Sequence, residues 1–308
     1  MKVLFYGAGV IGSLYAAKIA KCKYDVTVLA RGNRLSELKS QGLVIQDVKK
    51  NKCESVDIRT IESLESNDIY DYIFITMRND QVNEILPILK MNKSPNIVFM
   101  VNNPLGPEQW INELGKERIL LAFPGAGGKR ENGVIYYHII SQLIQPTTVG
   151  EMDGSHSDRL NKVVNIFKSA GFPVKVSSNM DCWQKSHIAM ISPMSNAIYY
   201  TQGDNYSVSK NKDAIRIMNL SIKEGLTFLK LAGYKITPSR MNLFLISPLW
   251  ILNIIMKTTF NTKWAETVIS NHSLIARAEM KVVAKEFINL AKEAGYEMKN
   301  YSKLASYI

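Results

Sequence analysis

Over its first 178 residues the chain alternates short apolar runs with polar or helix-forming stretches. The runs at 2–6, 24–30, 70–76, 96–101 and 119–123 are rich in β-branched and aromatic residues, and several are almost continuous in hydrophobicity. Strands covered on both faces of a parallel sheet need that kind of run. Residues 136–144 and 147–150 read as further strands, antiparallel ones closing an edge, followed by a helix over 157–170 and a last strand over 174–177. Beyond residue 180 the alternation stops, and apolar positions recur at helical spacing over 181–200, 213–231, 239–256 and 264–294. The pattern predicts an α/β chain in which a Rossmann-type dinucleotide-binding domain, 1–178, is followed by an all-helical domain, 179–308. An Ala-Gly-aromatic triplet at Gly171, Gly233 and Gly295 closes three of the helical stretches, the grammar of a left-handed C-terminal cap.

Composition narrows the class. With 308 residues, 46% hydrophobic and 21% charged, the chain can bury a large core and is neither a disordered tail nor a disulfide scaffold. Cys22, Cys53 and Cys182 lack CxxC spacing and the four histidines form no HxxxH pair, so no metal site is expected. The formal charge of +11 comes from scattered basic residues without a nucleic-acid motif, and is read as a solvated lysine-rich surface. The most apolar stretch, 243–256, is interrupted by Ser247, Pro248 and Asn253 and falls short of the ~20 residues that span a bilayer. It reads as a buried helix or as the face of a homodimer. The opening apolar run breaks at Gly7, too soon for a signal peptide, which points to a cytoplasmic protein.

The chemistry concentrates at two places. Residues 2–6 run into Gly7-Ala8-Gly9-Val10-Ile11-Gly12 and then into a helix-forming segment. In that context Gly7 allows the tight turn, Gly9 lets backbone approach a pyrophosphate, and Gly12 lets helix pack on strand. Arg31 ends the second strand where an NAD-binding chain would place a carboxylate, so it and Arg34 are candidates for a 2'-phosphate, which favours NADP; Arg78 is a third basic candidate near the adenosine. The loop Asn102-Asn103-Pro104-Leu105-Gly106 follows the strand at 96–101, at the edge where ligands collect. In the second half, Asp181 reads as an N-cap, which sets Lys185 near the positive end of a helix dipole and makes it a candidate general acid. Glu279 borders the stripe Ile275, Ala278, Val282, Val283, Phe287, Leu290 and Ala294, where a carboxylate must be paired or functional. His187 and His272 read as polar packing.

Together the glycine motif, Arg31, Asn103 with Gly106, Trp183 with Lys185, and Glu279 resemble the ketopantoate reductase (2-dehydropantoate 2-reductase) family over essentially the whole chain. The resemblance implies an active site in the cleft between a Rossmann and a helical domain. It makes Lys185 the general acid that protonates the keto oxygen as hydride arrives from NADPH. Glu279 would orient substrate, Asn103 would touch both nicotinamide and substrate, and Arg31 would hold the 2'-phosphate. Arg78 stands where the family has a lysine, and Gly127 and Gly128 lie near a backbone contact to the cofactor. Two departures stand out. The family's two substrate-gripping asparagines correspond to Ala189 and to Ser192 or Pro193, with Ser195 and Asn196 as compensating candidates. Its serine ahead of the glutamate has counterparts only among Thr267, Ser270 and Asn271, so Ser192, Asn196 and Ser270 join Asn103 and Lys185 as the substrate set. The expected function is NADPH-dependent reduction of 2-dehydropantoate to pantoate in pantothenate biosynthesis. The alternatives are a reductase of another 2-keto acid or an opine-like imine, and a non-catalytic NADPH-binding sensor.

Overall fold

Strand β1 (Lys2–Tyr6) sits at the middle of the sheet that organises the first half, its last four residues buried, as an apolar run with neighbours on both sides should be. The structure is a computed structural model that describes residues 1–308. The other strands are β2 (Asp25–Leu29), β3 (Leu43–Asp47), β4 (Lys52–Val56), β5 (Arg59–Ile61), β6 (Tyr72–Ile75), β7 (Ile97–Phe99), β8 (Ile119–Phe123), β9 (Ala126–Glu131), β10 (Val134–Ile139), β11 (Thr147–Gly150) and β12 (Val174–Val176). Eight of them form one sheet in the order β12-β11-β8-β7-β6-β1-β2-β5. From β5 to β8 all pairings are parallel; β11 runs antiparallel to β8 and β12 parallel to β11. The order reverses between β1 and its neighbours β2 and β6, the switch point at which open α/β sheets bind ligands.

The expected antiparallel edge is present in β11, but the strand expected over 136–144 ends at Ile139 and belongs elsewhere. It is β10, part of a second, four-stranded sheet in the order β4-β3-β10-β9 that the hydrophobic pattern did not announce. Helix α1 (Val10–Ala20), the most apolar of this half, packs on β3, β9 and β10 as well as on β1 and β2. The remaining helices of the half are α2 (Gly32–Gln41), α3 (Asn79–Met91), α4 (Glu108–Leu114) and α5 (Asp158–Ser169). Ser157 caps α5, its hydroxyl accepting from the Leu160 N–H at 3.1 Å.

The second half is helical: α6 (Met180–Tyr200), α7 (Asn205–Lys210), α8 (Lys212–Leu231), α9 (Asn242–Ile246), α10 (Leu249–Phe260), α11 (Lys263–Ala265), α12 (Asn271–Ile275), α13 (Arg277–Glu293) and α14 (Lys299–Ala305). Two long helices expected here are broken. The stretch 239–256 is interrupted at Ser247 and Pro248, and 264–294 contains a π turn, Glu266–Ser270, and a break at Ala276. Restarting at Arg277 turns the buried face of α13 to Glu279, Met280, Val283, Ala284, Phe287 and Ala291, leaving Ile275, Ala278 and Ala294 of the expected stripe exposed. Gly171, Gly233 and Gly295 all follow helix ends at positive φ, 83°, 83° and 74°, as their triplet predicted.

The chain divides into two units, Met1–Val101 with Pro107–Met180, and Asn102–Gly106 with Asp181–Ile308. The loop 102–106, expected within the first domain, therefore groups with the helices. No helix is long and apolar enough to cross a membrane.

Candidate active site

In the sheet unit, Gly7 has φ +119° and its hydrogen faces the Thr76 carbonyl; a Cβ there would lie 2.8 Å from that oxygen. A Cβ on Gly12 would lie 2.0 Å from the Gly7 carbonyl oxygen, so α1 can begin only over a glycine. The Thr76 hydroxyl, at the end of the neighbouring β6, donates to that same carbonyl at 3.0 Å. Gly9 is different: nothing lies within 4 Å of where its Cβ would be. Two glycines thus serve the protein's own packing, while the third leaves an exposed, open approach to the start of α1, whose first N–H groups have no helical acceptors. This opening fits the pyrophosphate of a dinucleotide, with Ala8, Val10 and Ile11 half-buried beside it.

The basic candidates separate. Arg31 is the exposed N-cap position of α2, reaching the Tyr6 hydroxyl at 3.3 Å and the Glu62 carbonyl at 3.5 Å. Arg34 is buried and committed: Nε donates to the Ala8 carbonyl (3.2 Å), one terminal nitrogen to Ser13 Oγ (3.0 Å), the other to Glu37 (2.9 Å) and the Gly133 carbonyl (3.3 Å). Burial lowers its pKa from the usual arginine value, partly offset by Glu37. It braces the glycine turn and is not available to a phosphate, against the expectation that it would join Arg31. Arg78 begins α3 paired with Asp80 at 3.3 Å. Gly128 lies inside the β9–β10 ladder, where a Cβ would meet the Tyr136 carbonyl at 2.1 Å, so strand packing already requires a glycine there.

In the helical unit Lys185 is 2% exposed. Asp181 is inside α6 and not its N-cap; its carboxylate, one turn before, pairs with the Lys185 ammonium, which also lies 5.0 Å from the centroid of the Tyr234 ring. The charge expected to stand uncompensated against the helix dipole therefore has its own counter-ion. Ser192 and Asn196 follow at seven and eleven residues, within about 20° of Lys185 around the helix. Both are fully buried, and neither polar atom of the Asn196 amide has a hydrogen-bond partner. Ala189, between Lys185 and Ser192, is buried where α8 comes close: a Cβ on Gly225 would lie 3.2 Å from the Ala189 methyl and from Phe287. Ser270 is buried at the end of the π turn.

Glu279 is 4% exposed in the first turn of α13. Its partner is Asn102, whose Nδ2 donates to Oε1 at 3.0 Å. Arg277, the obvious cation, turns instead to the Tyr307 carbonyl (3.1 Å) and the Tyr199 ring. Asn103 is buried but occupied by its own turn, donating to the Gly106 carbonyl at 2.6 Å and accepting from the Leu105 N–H at 3.2 Å. His187 stacks on Trp183 with centroids 5.1 Å apart, and burial, with the nearby His272, lowers its pKa to about 3. Asp181 as an ion-pair partner was readable from its spacing of four residues to Lys185. The contacts of Tyr234 and Asn102 link residues far apart in the chain and left no local trace.

The sheet unit, with its glycine turn at the switch point, is matched over residues 3–154 by the family model "Ketopantoate reductase PanE/ApbA". The chain belongs to the ketopantoate reductase family. Family members use NAD(P)H, and this member is an oxidoreductase of the 2-dehydropantoate 2-reductase kind. It is similar to the 2-dehydropantoate 2-reductase of Pyrococcus horikoshii, 24% identical over 245 residues, covering 80% of this chain and 79% of that protein. In fold it is similar to 2-dehydropantoate 2-reductase from Geobacter metallireducens (TM-score 0.80, 14% identity, 100% of this chain and 98% of that one). It is similarly close to a D-mandelate dehydrogenase solved with NADH and anilino(oxo)acetate (TM-score 0.77, 14% identity, 100% and 97%).

Proposed function

We propose that this family member reduces a small 2-keto acid to its 2-hydroxy acid with NADPH, with 2-dehydropantoate as substrate, and that Lys185 is the general acid. The observation that carries the reading is a lysine almost wholly withdrawn from water, with its ammonium held by Asp181 and Tyr234. NADPH, when bound, would supply the hydride. The residues that would hold it are the Gly7–Gly12 turn, open at Gly9, and Arg31, which is exposed and free of any carboxylate partner. Negative charge develops on the keto oxygen as the carbonyl carbon is reduced, and the Lys185 ammonium neutralises it by giving up a proton. Asp181 holds that ammonium on a fixed rotamer, and Glu279 fixes the substrate's orientation.

The test is Lys185→Ala. Loss of a positioned general acid lowers kcat by about 100-fold to 10,000-fold, while the NADPH dissociation constant, read from cofactor fluorescence, stays within a factor of two or so of wild type because the glycine turn is untouched. Unchanged turnover overturns the role of Lys185.

One observation favours another 2-keto acid. Ala189 stands where the resemblance puts the family's first substrate-gripping asparagine, and α8 packs closely on it, a methyl on Gly225 already lying 3.2 Å from the alanine methyl. A substrate without hydroxyls to bind there suits the site, and a D-mandelate dehydrogenase shares the fold. Comparing kcat/KM for 2-dehydropantoate against branched and aromatic 2-keto acids separates the two readings.

A further inference from the structure

Two adjacent asparagines leave β7, and a sequence motif alone assigns the ligand contact to the second. The structure divides the work otherwise. Both polar atoms of the Asn103 side chain are used within the turn 103–106, where the amide donates to the Gly106 carbonyl and accepts from the Leu105 N–H. Asn102 points to Glu279: Nδ2 donates to Oε1 at 3.0 Å, with the two residues 7% and 4% exposed. The orientation of the Asn102 amide follows from chemistry, because an ionised carboxylate only accepts. Its Oδ1 is consequently left buried without a partner.

We infer that Asn102 is a positioning residue that acts through Glu279: its N–H holds Oε1, fixes the carboxylate's rotamer and turns Oε2 toward the ligand, while Asn103 shapes the turn that delivers Asn102. Three features support this. The bond joins two residues 177 apart in sequence, so it is a product of the fold and not of local geometry. No cation takes its place, since Arg277 is committed to the Tyr307 carbonyl and the Tyr199 ring. Tyr199 shares these surroundings without offering Glu279 a cation: burial keeps its phenol protonated, opposed by Arg277 and reinforced by the Glu279 charge. The amide of Asn102 is then the one donor that orders the carboxylate. The inference rests on the keto-acid reductase reading for its catalytic meaning.

The experiment is a double-mutant cycle on the full chain with Asn102→Leu, Glu279→Ala and the pair, reading kcat/KM for the keto acid, together with the NADPH dissociation constant and melting temperature. Asn102→Leu is expected to lower kcat/KM about tenfold with cofactor affinity unchanged, and to have no further effect once Glu279 is alanine, because its action passes through that carboxylate. Asn102→Asp, which removes the donor and faces carboxylate with carboxyl, should be worse than Leu, and Asn102→Gln should recover part of the loss. Multiplicative losses in the double variant overturn the inference. A readout independent of turnover separates its failure from that of the reductase reading: Asn102→Leu leaves the buried Glu279 Oε1 without its donor, so its loss of urea midpoint should largely vanish once Glu279 is alanine. If the wild type reduces no keto acid but this coupling in stability is seen, the reductase reading fails and the positioning of Glu279 stands. If the two substitutions destabilise the chain additively, the positioning fails whatever the enzyme reduces.

Discussion

Arg31 and Arg34 carry the same guanidinium three residues apart, and their surroundings give them opposite meanings. Arg34 is buried with four acceptors around it, drawn from Ala8, Ser13, Glu37 and Gly133; Arg31 is exposed and reaches only a hydroxyl and a carbonyl. Removing Arg34 leaves the Ser13 hydroxyl without the donor it accepts from and the Ala8 carbonyl with the Ser13 hydroxyl as its remaining side-chain donor. Arg34→Met should therefore cost about 1–3 kcal/mol of stability, seen as a lower urea midpoint, and loosen binding of NADPH and NADH alike. Arg31→Ala should leave the midpoint unchanged and raise KM for NADPH but not for NADH, since only the former carries the 2'-phosphate. Equal effects on both cofactors would remove Arg31 from phosphate recognition. Sequence named both arginines for one task because three of the four Arg34 partners come from outside its own helix. The same limit hid the bond from Asn102 to Glu279, whereas the pairing of Asp181 with Lys185 follows from helical spacing and was within reach.

Within single elements, the three glycines of the turn test how far a motif can be read as function. Gly12 is needed by the protein itself, since a methyl there would meet the Gly7 backbone oxygen at 2.0 Å, and no side chain can move aside to relieve it. Gly9 has extended backbone with φ −72° and open space at its Cβ position, so alanine fits the cofactor-free chain without strain. Gly12→Ala should cost roughly 2 kcal/mol or more in stability. Gly9→Ala should melt within a degree or two of wild type and weaken NADPH binding about tenfold, by filling the space a pyrophosphate would use. A Gly9→Ala chain that binds NADPH normally would show that the opening is not the phosphate site. The buried parallel strands were legible because their hydrophobicity is nearly unbroken. Strands β4 and β9 were not: KCESV and AGGKRE are polar or glycine-rich, and they become strands by pairing with β3 and β10. Apolar spacing also cannot register one inserted residue, and so the π turn at Glu266–Ser270 and the stop at Ala276 rotated the face of α13 away from the expected stripe.

At the scale of the molecule, stability should carry a pH signature from His187. Burial is the larger cause and the nearby His272 the smaller, and together they lower its pKa to about 3 from an ordinary value of 6.5. The fold therefore holds His187 neutral where the unfolded chain would protonate it. Between pH 6.5 and about 3 the unfolded state binds the extra proton, so folding stability falls as pH is lowered through this window and is fully restored above it. For one such group the slope approaches ~1.4 kcal/mol per pH unit within the window. Carboxylates contribute their own dependence, and the net charge of +11 adds general repulsion in acid, so the diagnostic quantity is a difference between chains. His187→Phe retains an aromatic ring against Trp183, where the wild-type rings stack 5.1 Å apart, and removes the titration. Urea midpoints measured every half unit from pH 4 to 8 should decline more steeply toward acid in the wild type than in the variant, with the curves parallel above pH 7. Parallel curves throughout would mean that His187 is protonated in the fold as readily as in the open chain, and that α6 is wetter along this face than its packing indicates.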